Sequence, residues 1–370
     1  MSRFLSERRK NLVPYTPGEQ PKDMKYVKLN TNESPFPPSQ KAVDGALSAA
    51  KRLNLYPDPE CKALTEEIAK MCGVECDEVL VTNGSDEILN FAFIAFCDDK
   101  TKAVFPDITY GFYPVFADIN NVPYEEIPLN DDFSVNVEAF CGINKNIFIA
   151  NPNAPTGMMI SLDDIEKILK TNPDNIVVID EAYVDFGGVS AIPLIKKYDN
   201  LIVTQTFSKS RSMAGARLGF GVASSKLISD LNTVKYSTNP YNINSMTMAA
   251  GLGVLADNAY TVNNCNEIIK NREFTVNELK KLGFSCTNSF ANFVFAKHGT
   301  VSGKEIYLKL KEKGVLIRHF DKQRIKDYNR ITVGDRHQME ILIEKIKEVL
   351  EELKRELPKL TETPPKLKFP

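Results

Sequence analysis

The chain of 370 residues contains no tryptophan, three histidines and a formal net charge of only −2. The three histidines have no ligand spacing with the cysteines, which argues against a zinc site, so we expect no metal. A nearly neutral chain also lacks the basic surplus typical of proteins that bind nucleic acid or anionic membranes. No apolar run approaches the length of a membrane span, and no apolar segment follows the charged N-terminus as in a secretory signal.

The cysteines are seven in number and scattered along the chain. An odd, dispersed set indicates reduced thiols in a reducing compartment rather than a disulfide framework. Without a targeting signal, we expect a cytoplasmic protein. The length allows more than one domain, and 43% hydrophobic with 25% charged residues is ordinary for a globular protein.

Short apolar segments alternate with helical patterns in the first two thirds of the chain. The predicted strands are 78–82, 103–105, 147–150, 176–179 and 201–204. This alternation is typical of an α/β fold with a mostly parallel sheet that is buried on both faces. After Gly283 the pattern changes to that of a smaller α+β unit, with predicted strands at 292–295, 315–317 and 331–333.

These patterns divide the chain into four parts. Prolines recur between residues 14 and 38 and exclude a long regular helix there. We expect an N-terminal arm at 1–30, a large domain at 31–262, a small C-terminal domain at 263–356 and a flexible tail at 357–370.

Lys209 follows one apolar run and precedes another, so the sequence predicts a lysine between two buried strands. Burial lowers the pKa of a lysine and makes its neutral, nucleophilic amine available, as Schiff-base chemistry requires. Thr206, Ser208 and Arg217 add two hydroxyls and a bidentate donor, a set that suits one phosphate group. Taken alone, the segment also fits a solvated surface loop.

The segment IVVIDEAY at 176–183 carries a second signal. It places Asp180 at the end of a buried parallel strand, where open α/β sheets bind ligands. A buried carboxylate without a cationic or protonated partner would take up a proton itself. Tyr183 follows three residues later. The alternative is an aspartate that caps the next turn.

Two loops follow other predicted strands. In VTNGSDEIL, Gly84 belongs to a tight turn and Ser85 is a natural N-cap, so the amides up to Asp86 could form a phosphate cup. Capped helices after strands are common, so this turn alone does not identify a ligand. The loop NPNAPTG at 151–157 is irregular and lies at the same edge of the sheet. Together the loops and strand ends suit a ligand with a phosphate, a cationic ring nitrogen, a phenolic oxygen and an aldehyde.

The segments GSDE, NPNAPTG, DEAY and TFSK, the last followed after seven residues by Arg217, resemble the fold-type-I pyridoxal-phosphate aminotransferases. Within these enzymes the chain is most similar to the histidinol-phosphate aminotransferase family. That narrower resemblance rests on NLVPYTPGEQ, VKLNTNESPF, YPDP, PYNINSMTMAA and RITVGDR. It implies pyridoxal 5′-phosphate as cofactor and an α/β fold, with a mostly parallel seven-stranded sheet in the large domain and a smaller α+β C-terminal domain.

The resemblance also assigns roles to the residues around the cofactor. Lys209 would form the internal aldimine and carry the proton between the substrate's α-carbon and the cofactor's C4′. Asp180 would pair with the pyridinium nitrogen, and Tyr183 would donate to the cofactor's O3′. Tyr110 would stack on the ring or, alternatively, belong to a helix core. The phosphate ligands would be Thr206, Ser208, Arg217 and the amides of Gly84, Ser85 and Asp86.

A second set of residues matches the family's substrate site: Tyr15, Asn32, Tyr56, Arg318 and Arg330. Arg330 would grip the anionic group of the substrate, and Arg318 and Tyr15 would lie near its phosphate. Tyr56 would enter the site of a neighbouring subunit, which implies an obligate homodimer. For both tyrosines, ordinary packing of a half-buried side chain is the alternative.

The chain departs from the family at one position. Relatives usually carry an asparagine directly before Pro-Thr-Gly, and its amide donates to O3′; here that residue is Ala154. Asn153 is one substitute donor, a water molecule is another, and the bond could be absent. Without a donor, O3′ should hold the imine proton more firmly and the pKa of the aldimine should rise.

The expected activity is ping-pong transamination of L-histidinol phosphate and 2-oxoglutarate to imidazole acetol phosphate and L-glutamate, a reaction of histidine biosynthesis. An aromatic amino-acid aminotransferase and a threonine-phosphate decarboxylase-like enzyme are alternatives with the same cofactor. Two arginines favour a phosphate substrate over a free aromatic acid. A non-enzymatic binding domain would not need Lys209 beside Asp180, and no G-x-G-x-x-G follows an early strand as in a Rossmann dehydrogenase.

Overall fold

The computed structural model describes residues 2–10 and 12–356. Its helices are α1 (Gln40–Ala50), α2 (Lys62–Cys72), α3 (Ser85–Phe96), α4 (Phe112–Asn120), α5 (Leu162–Thr171), α6 (Ser225–Thr238), α7 (Ser245–Leu255), α8 (Asn258–Lys281), α9 (Gly303–Glu312) and α10 (Arg336–Glu356). Within these residues, no helix has both the length and the apolar character that a membrane crossing needs. The predicted tail at 357–370 lies outside the described residues.

The strands of the same residues are β1 (Val27–Lys28), β2 (Val79–Thr82), β3 (Ala103–Pro106), β4 (Tyr124–Ile127), β5 (Asn146–Ala150), β6 (Val177–Asp180), β7 (Leu201–Thr206), β8 (Gly219–Ala223), β9 (Phe284–Cys286), β10 (Phe293–His298), β11 (Val315–Leu316), β12 (Arg318–His319) and β13 (Tyr328–Thr332).

The large sheet has seven strands in the order β2-β8-β7-β6-β5-β3-β4. Strand β8 is antiparallel to its two neighbours, and every other pair is parallel. Every residue of β5, β6 and β7 is buried, which explains their nearly continuous apolar sequences. The predicted α/β fold with a mostly parallel seven-stranded sheet is confirmed.

Apolar side chains pack on both faces of this sheet. Because side chains alternate along a strand, Ile147 and Ile149 of β5 belong to one hydrophobic cluster, whereas Phe148 belongs to another on the opposite face. Helices on the two sides cover these clusters. The central strands are therefore held rigidly, and so are the residues at their carboxyl ends.

A second, antiparallel sheet has the order β12-β13-β10-β9 and belongs to the smaller α+β unit. The N-terminal strand β1 pairs in parallel with β11 of this unit. Beyond β1, the amide of Thr332 in β13 donates to the Leu29 carbonyl at 2.9 Å. The segment after β1 is thus tied to the small sheet. The four domain boundaries remain a prediction.

Some elements differ from the sequence patterns. The edge strand β4 (YEEI) and the polar helix α6 were not predicted, because neither has a strong apolar period. Helix α4 begins only at Phe112, so Tyr110, for which a helix core was the alternative, precedes it.

Candidate active site

Several loops meet at the carboxyl-terminal edge of the large sheet and enclose a cavity of about 190 Å³. Strand β6 ends there at Asp180, β7 leads there into Lys209, and α3 begins there after β2. Of the predicted cofactor residues, the cavity wall contains Ser85, Asp86, Tyr110, Asp180, Tyr183, Thr206, Ser208, Lys209 and Arg217. Residues far apart in sequence converge because parallel strands end at one edge.

Asp180 is buried at the inner end of this cavity. Its Oδ2 accepts a hydrogen bond from the Tyr113 hydroxyl at 3.2 Å. Its Oδ1 is buried and has no partner among the described residues. Desolvation raises the pKa of this carboxyl to about 7. The free oxygen therefore suits a ligand that brings a protonated nitrogen.

Lys209 lies on the cavity wall, and its Nζ donates to the Thr31 carbonyl at 3.3 Å. Desolvation, followed by the nearby Arg330 guanidinium, lowers the pKa of this lysine to about 8. An appreciable fraction of the amine is then neutral near neutral pH, which makes it a competent nucleophile for an aldehyde.

The opposite end of the cavity presents hydrogen-bond donors. The Arg217 guanidinium donates to Asp86 Oδ2 at 2.9 Å and to Ser208 Oγ at 3.3 Å, and the Thr206 hydroxyl donates to Ser208 Oγ at 3.0 Å. The first turn of α3 adds backbone N–H groups that have no intrahelical acceptor. A Cβ on Gly84 (φ +75°) would lie 2.6 Å from Arg217 Nη2, so only glycine fits this turn.

Two tyrosines connect these ends. The Tyr110 hydroxyl donates to Asp86 Oδ1 at 2.6 Å, and its ring meets Tyr113 edge-on at 5.8 Å. Tyr110 precedes α4 and lies on the cavity wall, which favours ring stacking over the helix-core alternative. Sequence reasoning missed Tyr113, which lies in α4 and is fully buried. Its spacing of three residues from Tyr110 was the available signal.

A larger cavity of about 420 Å³ adjoins the first. The walls of the two cavities share Thr31, Tyr110, Ala154, Tyr183 and Lys209. Four of the predicted substrate residues line the larger cavity: Tyr15, Asn32, Arg318 and Arg330. Lys209 therefore lies where the two spaces meet.

The two arginines of the larger cavity are held by backbone carbonyls. Arg330 donates to the Asn30 carbonyl at 3.1 Å, and its Nε is buried without a partner among the described residues. Desolvation lowers the pKa of Arg330. Arg318 donates to the carbonyls of Thr16 and Pro17 at 3.2 and 3.3 Å. Both guanidiniums retain capacity to bind an anion.

Three predicted residues line neither cavity: Gly84, in the turn before α3, Asn153 and Tyr56. Asn153 is buried, and its amide donates to the Ile108 carbonyl at 2.9 Å and to Thr156 Oγ1 at 3.0 Å, so both of its hydrogens are used. Its assignment to the cofactor gains no support from the structure. Tyr56 is 83% exposed and stacks on Tyr241 at 4.7 Å, away from the cavities of its own chain.

The residues that the structure describes contain no group of three or more histidine, cysteine, aspartate or glutamate side chains arranged to hold a metal ion.

A family model described as aminotransferase class I and II matches residues 24–346. The chain belongs to this aminotransferase family. The histidinol-phosphate aminotransferase of Brachyspira hyodysenteriae is 47% identical over 352 residues, which span 95% of this chain and 99% of that protein. The family resemblance found in the sequence motifs is thus confirmed.

Solved structures have the same fold as this aminotransferase. A putative histidinol-phosphate aminotransferase from Erwinia carotovora atroseptica is 27% identical, with a TM-score of 0.82 over 88% of this chain and 96% of that chain. The histidinol-phosphate aminotransferase of Sinorhizobium meliloti, solved in complex with pyridoxal-5′-phosphate, is 22% identical, with a TM-score of 0.82 over 89% of this chain and 92% of that chain.

The smaller cavity of this aminotransferase can accommodate a specific type of ligand. Asp180 offers a free carboxyl oxygen, Lys209 an amine of lowered pKa, and Arg217 with its neighbours a set of anion donors. These groups fit a molecule that combines a protonated ring nitrogen, an aldehyde carbon and a phosphate.

Proposed function

We propose that the chain is a pyridoxal-phosphate-dependent aminotransferase of L-histidinol phosphate and 2-oxoglutarate, and that it acts in histidine biosynthesis in the cytoplasm. The observation that carries the proposal is the position of Lys209 between two adjacent cavities. One cavity offers the donors for a cofactor, and the other offers two arginines for a substrate anion. The near full-length identity to histidinol-phosphate aminotransferases supports the choice of substrate.

The residues of the smaller cavity have distinct roles toward the cofactor. When bound, pyridoxal phosphate supplies an aldehyde carbon for the Lys209 amine and a ring that accepts an electron pair from the substrate's α-carbon. Asp180 would keep a proton on the ring nitrogen, and the Tyr183 hydroxyl would donate to the phenolic oxygen O3′. Arg217, Ser208 and the first turn of α3 would hold the phosphate.

Lys209 has a second role as the base at the substrate. With cofactor and substrate bound, the Lys209 amine would take the proton from the substrate's α-carbon and later return one. A general base works best when its pKa is close to the working pH, and the pKa of Lys209 is lowered to about 8. Desolvation of Lys209 therefore prepares its amine for both roles, as nucleophile and as base.

The larger cavity favours a phosphorylated substrate. Arg318 and Arg330 both line it, together with Tyr15. Guanidinium groups bind phosphate oxygens through charge-assisted, bidentate hydrogen bonds, which supply both affinity and orientation. A free aromatic amino acid has a single carboxylate and needs one such partner, so the second arginine favours L-histidinol phosphate.

A half-reaction tests this proposal. The purified protein is loaded with pyridoxal phosphate and mixed separately with L-histidinol phosphate, L-phenylalanine and threonine phosphate. We expect L-histidinol phosphate to convert the visible absorbance of the bound cofactor to that of its amine form far faster than the other two. Faster conversion with phenylalanine would indicate an aromatic aminotransferase, and carbon dioxide from threonine phosphate would indicate a decarboxylase.

We propose further that the enzyme is a homodimer in which Tyr56 enters the neighbouring site. Supporting this, Tyr56 lies near other exposed apolar side chains, Leu53 and Leu55. Inactive Lys209→Ala and weakened Tyr56→Ala chains can be mixed under conditions of subunit exchange. A shared site predicts partial recovery of activity, because each mixed dimer then contains one complete site. No recovery after demonstrated exchange would contradict the shared site.

A further inference from the structure

The wall that the two cavities share offers few donors to a cofactor's phenolic oxygen. Ala154 lies on this wall, and its methyl group cannot donate a hydrogen bond. The neighbouring Asn153 amide is already bound to Ile108 and Thr156. Two other hydroxyls on the shared wall already donate to carboxylates, Tyr110 to Asp86 at 2.6 Å and Thr31 to Glu33 at 2.8 Å. The Tyr183 hydroxyl is the one that is left, so the direction of its proton decides whether this wall offers a donor.

A pair of hydrogen bonds fixes the orientation of the Asn32 amide. The backbone N–H of Asn32 donates to Thr332 Oγ1 at 2.9 Å, and the Thr332 hydroxyl donates its only proton to Asn32 Oδ1 at 3.1 Å. The amide oxygen of Asn32 therefore faces Thr332, and its Nδ2 faces the other way.

Asn32 Nδ2 donates to the Tyr183 hydroxyl oxygen at 3.0 Å. Tyr183 is the acceptor in this bond, so its own proton is left for another partner. No protein acceptor for that proton is found in residues 2–10 and 12–356. A hydroxyl that accepts one hydrogen bond is also a stronger donor in the next, since the two bonds polarise each other.

These residues are held firmly before any ligand arrives. Asn32 is 1% exposed and Thr332 is 3% exposed. The Asn292 amide donates to the Asn32 carbonyl at 3.0 Å. Asn32 also has a positive φ of 55°, a conformation that asparagine adopts more readily than most residues. Buried hydrogen bonds thus connect the small sheet to the wall of the cofactor cavity, and the donor and acceptor of each bond are defined.

We propose that Asn32 and Thr332 are positioning residues that hold the Tyr183 hydroxyl as the donor to O3′ of the cofactor, at a wall where Ala154 offers no donor. This inference rests on the proposed function, because it requires pyridoxal phosphate in the smaller cavity. It also gives Asn32 a role other than the substrate contact expected from the sequence. Its amide is used between Thr332 and Tyr183.

The test is a spectral titration of the cofactor-loaded protein. A donor to O3′ competes with the proton on the Lys209 nitrogen for the oxygen's electron pairs, so loss of the donor raises the pKa of the bound chromophore. Tyr183→Phe should raise it by roughly one unit, the equivalent of one hydrogen bond. Asn32→Gly, which tolerates the positive φ, and Thr332→Val should raise it by less, in the same direction.

Two controls separate positioning from other effects. Thr332→Ser keeps the hydroxyl and should keep the native titration. In the Tyr183→Phe background, Asn32→Gly should cause no further shift, because its effect passes through the Tyr183 hydroxyl. The charged groups around the cofactor and its shared wall are unchanged in all these variants: Glu33, Asp86, Asp180, Lys209, Arg217 and Arg330.

The outcomes distinguish this inference from the proposed function. If the native protein, Asn32→Gly and Thr332→Val all bind the cofactor but titrate alike, the inference is overturned and the proposed function stands. A shift from Asn32→Gly that persists without the Tyr183 hydroxyl also overturns it. If the native protein acquires no visible absorbance with pyridoxal phosphate, the proposed function itself fails. Circular dichroism of each variant confirms that the fold is retained.

Discussion

The two cavities that meet at Lys209 are built from different parts of the molecule. The smaller one is walled by the ends of buried strands, and its polar residues Asp180, Thr206 and Ser208 are nearly inaccessible. The larger one is covered partly by the N-terminal arm, whose Tyr15 is 37% exposed. The arm is held there by carbonyl contacts to Arg318 and by the stacking of Tyr15 on Phe112 at 4.2 Å.

This difference indicates that the two cavities have different functions, one for the cofactor and one for the substrate. Groups on rigid strand ends are positioned before a ligand arrives, which suits a cofactor that stays bound through many turnovers. An arm held by a few surface contacts can be displaced at low cost, which suits a substrate that enters and leaves in each cycle. Substitutions in the smaller cavity should therefore affect cofactor binding and the chemical step, and those in the larger cavity should affect KM.

Removal of the amine where the two cavities meet should have the largest effect. Lys209→Ala removes both the nucleophile and the base, so the half-reaction rate should fall by more than about 10⁴-fold. Stopped-flow absorbance with L-histidinol phosphate measures this loss. The exposed Lys226 of α6 supplies a control, since Lys226→Ala should react at the native rate. A Lys209→Ala protein that retains a substantial rate would contradict the assignment.

Asp180→Asn should have the next largest effect, and the loss should appear in the rate. An amide cannot keep a proton on the ring nitrogen by charge pairing, so the rate should fall by ~10²- to 10⁴-fold, the kinetic equivalent of losing one partner of a buried ion pair. Substrate KM should change much less. Glu181→Gln is the comparison variant, since it changes the neighbouring buried carboxyl, which binds Ser190 and Gln205. It tests whether the loss of any buried carboxyl lowers the rate to the same extent.

Arg318→Gln should give the opposite pattern, because Arg318 belongs to the larger cavity. Loss of a charged hydrogen-bond donor to the substrate phosphate should raise KM for L-histidinol phosphate by roughly 10- to 100-fold with kcat little changed. Arg336→Gln is the matched control, since Arg336 stacks over Phe274 at 4.0 Å and lines neither cavity. A fall in kcat without a change in KM would contradict the proposed difference between the two cavities.

Tyr113→Phe should have the smallest effect, and it should depend on pH. The Tyr113 hydrogen bond lowers the pKa of Asp180, which burial raises to about 7, so its loss should move that pKa above 7. Just above pH 7 a larger fraction of the carboxyl is then ionised in the native protein than in the variant, and the protonated form pairs poorly with the ring nitrogen. Cofactor affinity, measured by fluorescence titration, should fall by up to about tenfold there, and by less at pH values well below or well above both pKa values. An equal loss at all pH values would contradict this mechanism.

The sequence predicted the smaller cavity well and the contacts behind it poorly. Buried parallel strands have apolar sequences, and their carboxyl ends share an edge, so the convergence of Lys209 and Asp180 could be inferred. The partners of these residues depend on chain segments far apart in sequence. Asn32 meets Thr332 across 300 residues, and no local pattern indicates that contact. Tyr113 resembled ordinary helix core because its ring is buried like any other core aromatic.

The most direct test of the division between the cavities compares L-histidinol phosphate with L-histidinol, which lacks the phosphate, in the native protein and in Arg318→Gln. We expect the native protein to have a kcat/KM at least ~10²-fold higher for the phosphorylated substrate, and Arg318→Gln to lose most of this preference. Equal preference in the two proteins, or similar rates with both substrates in the native protein, would show that the larger cavity does not bind the phosphate through Arg318.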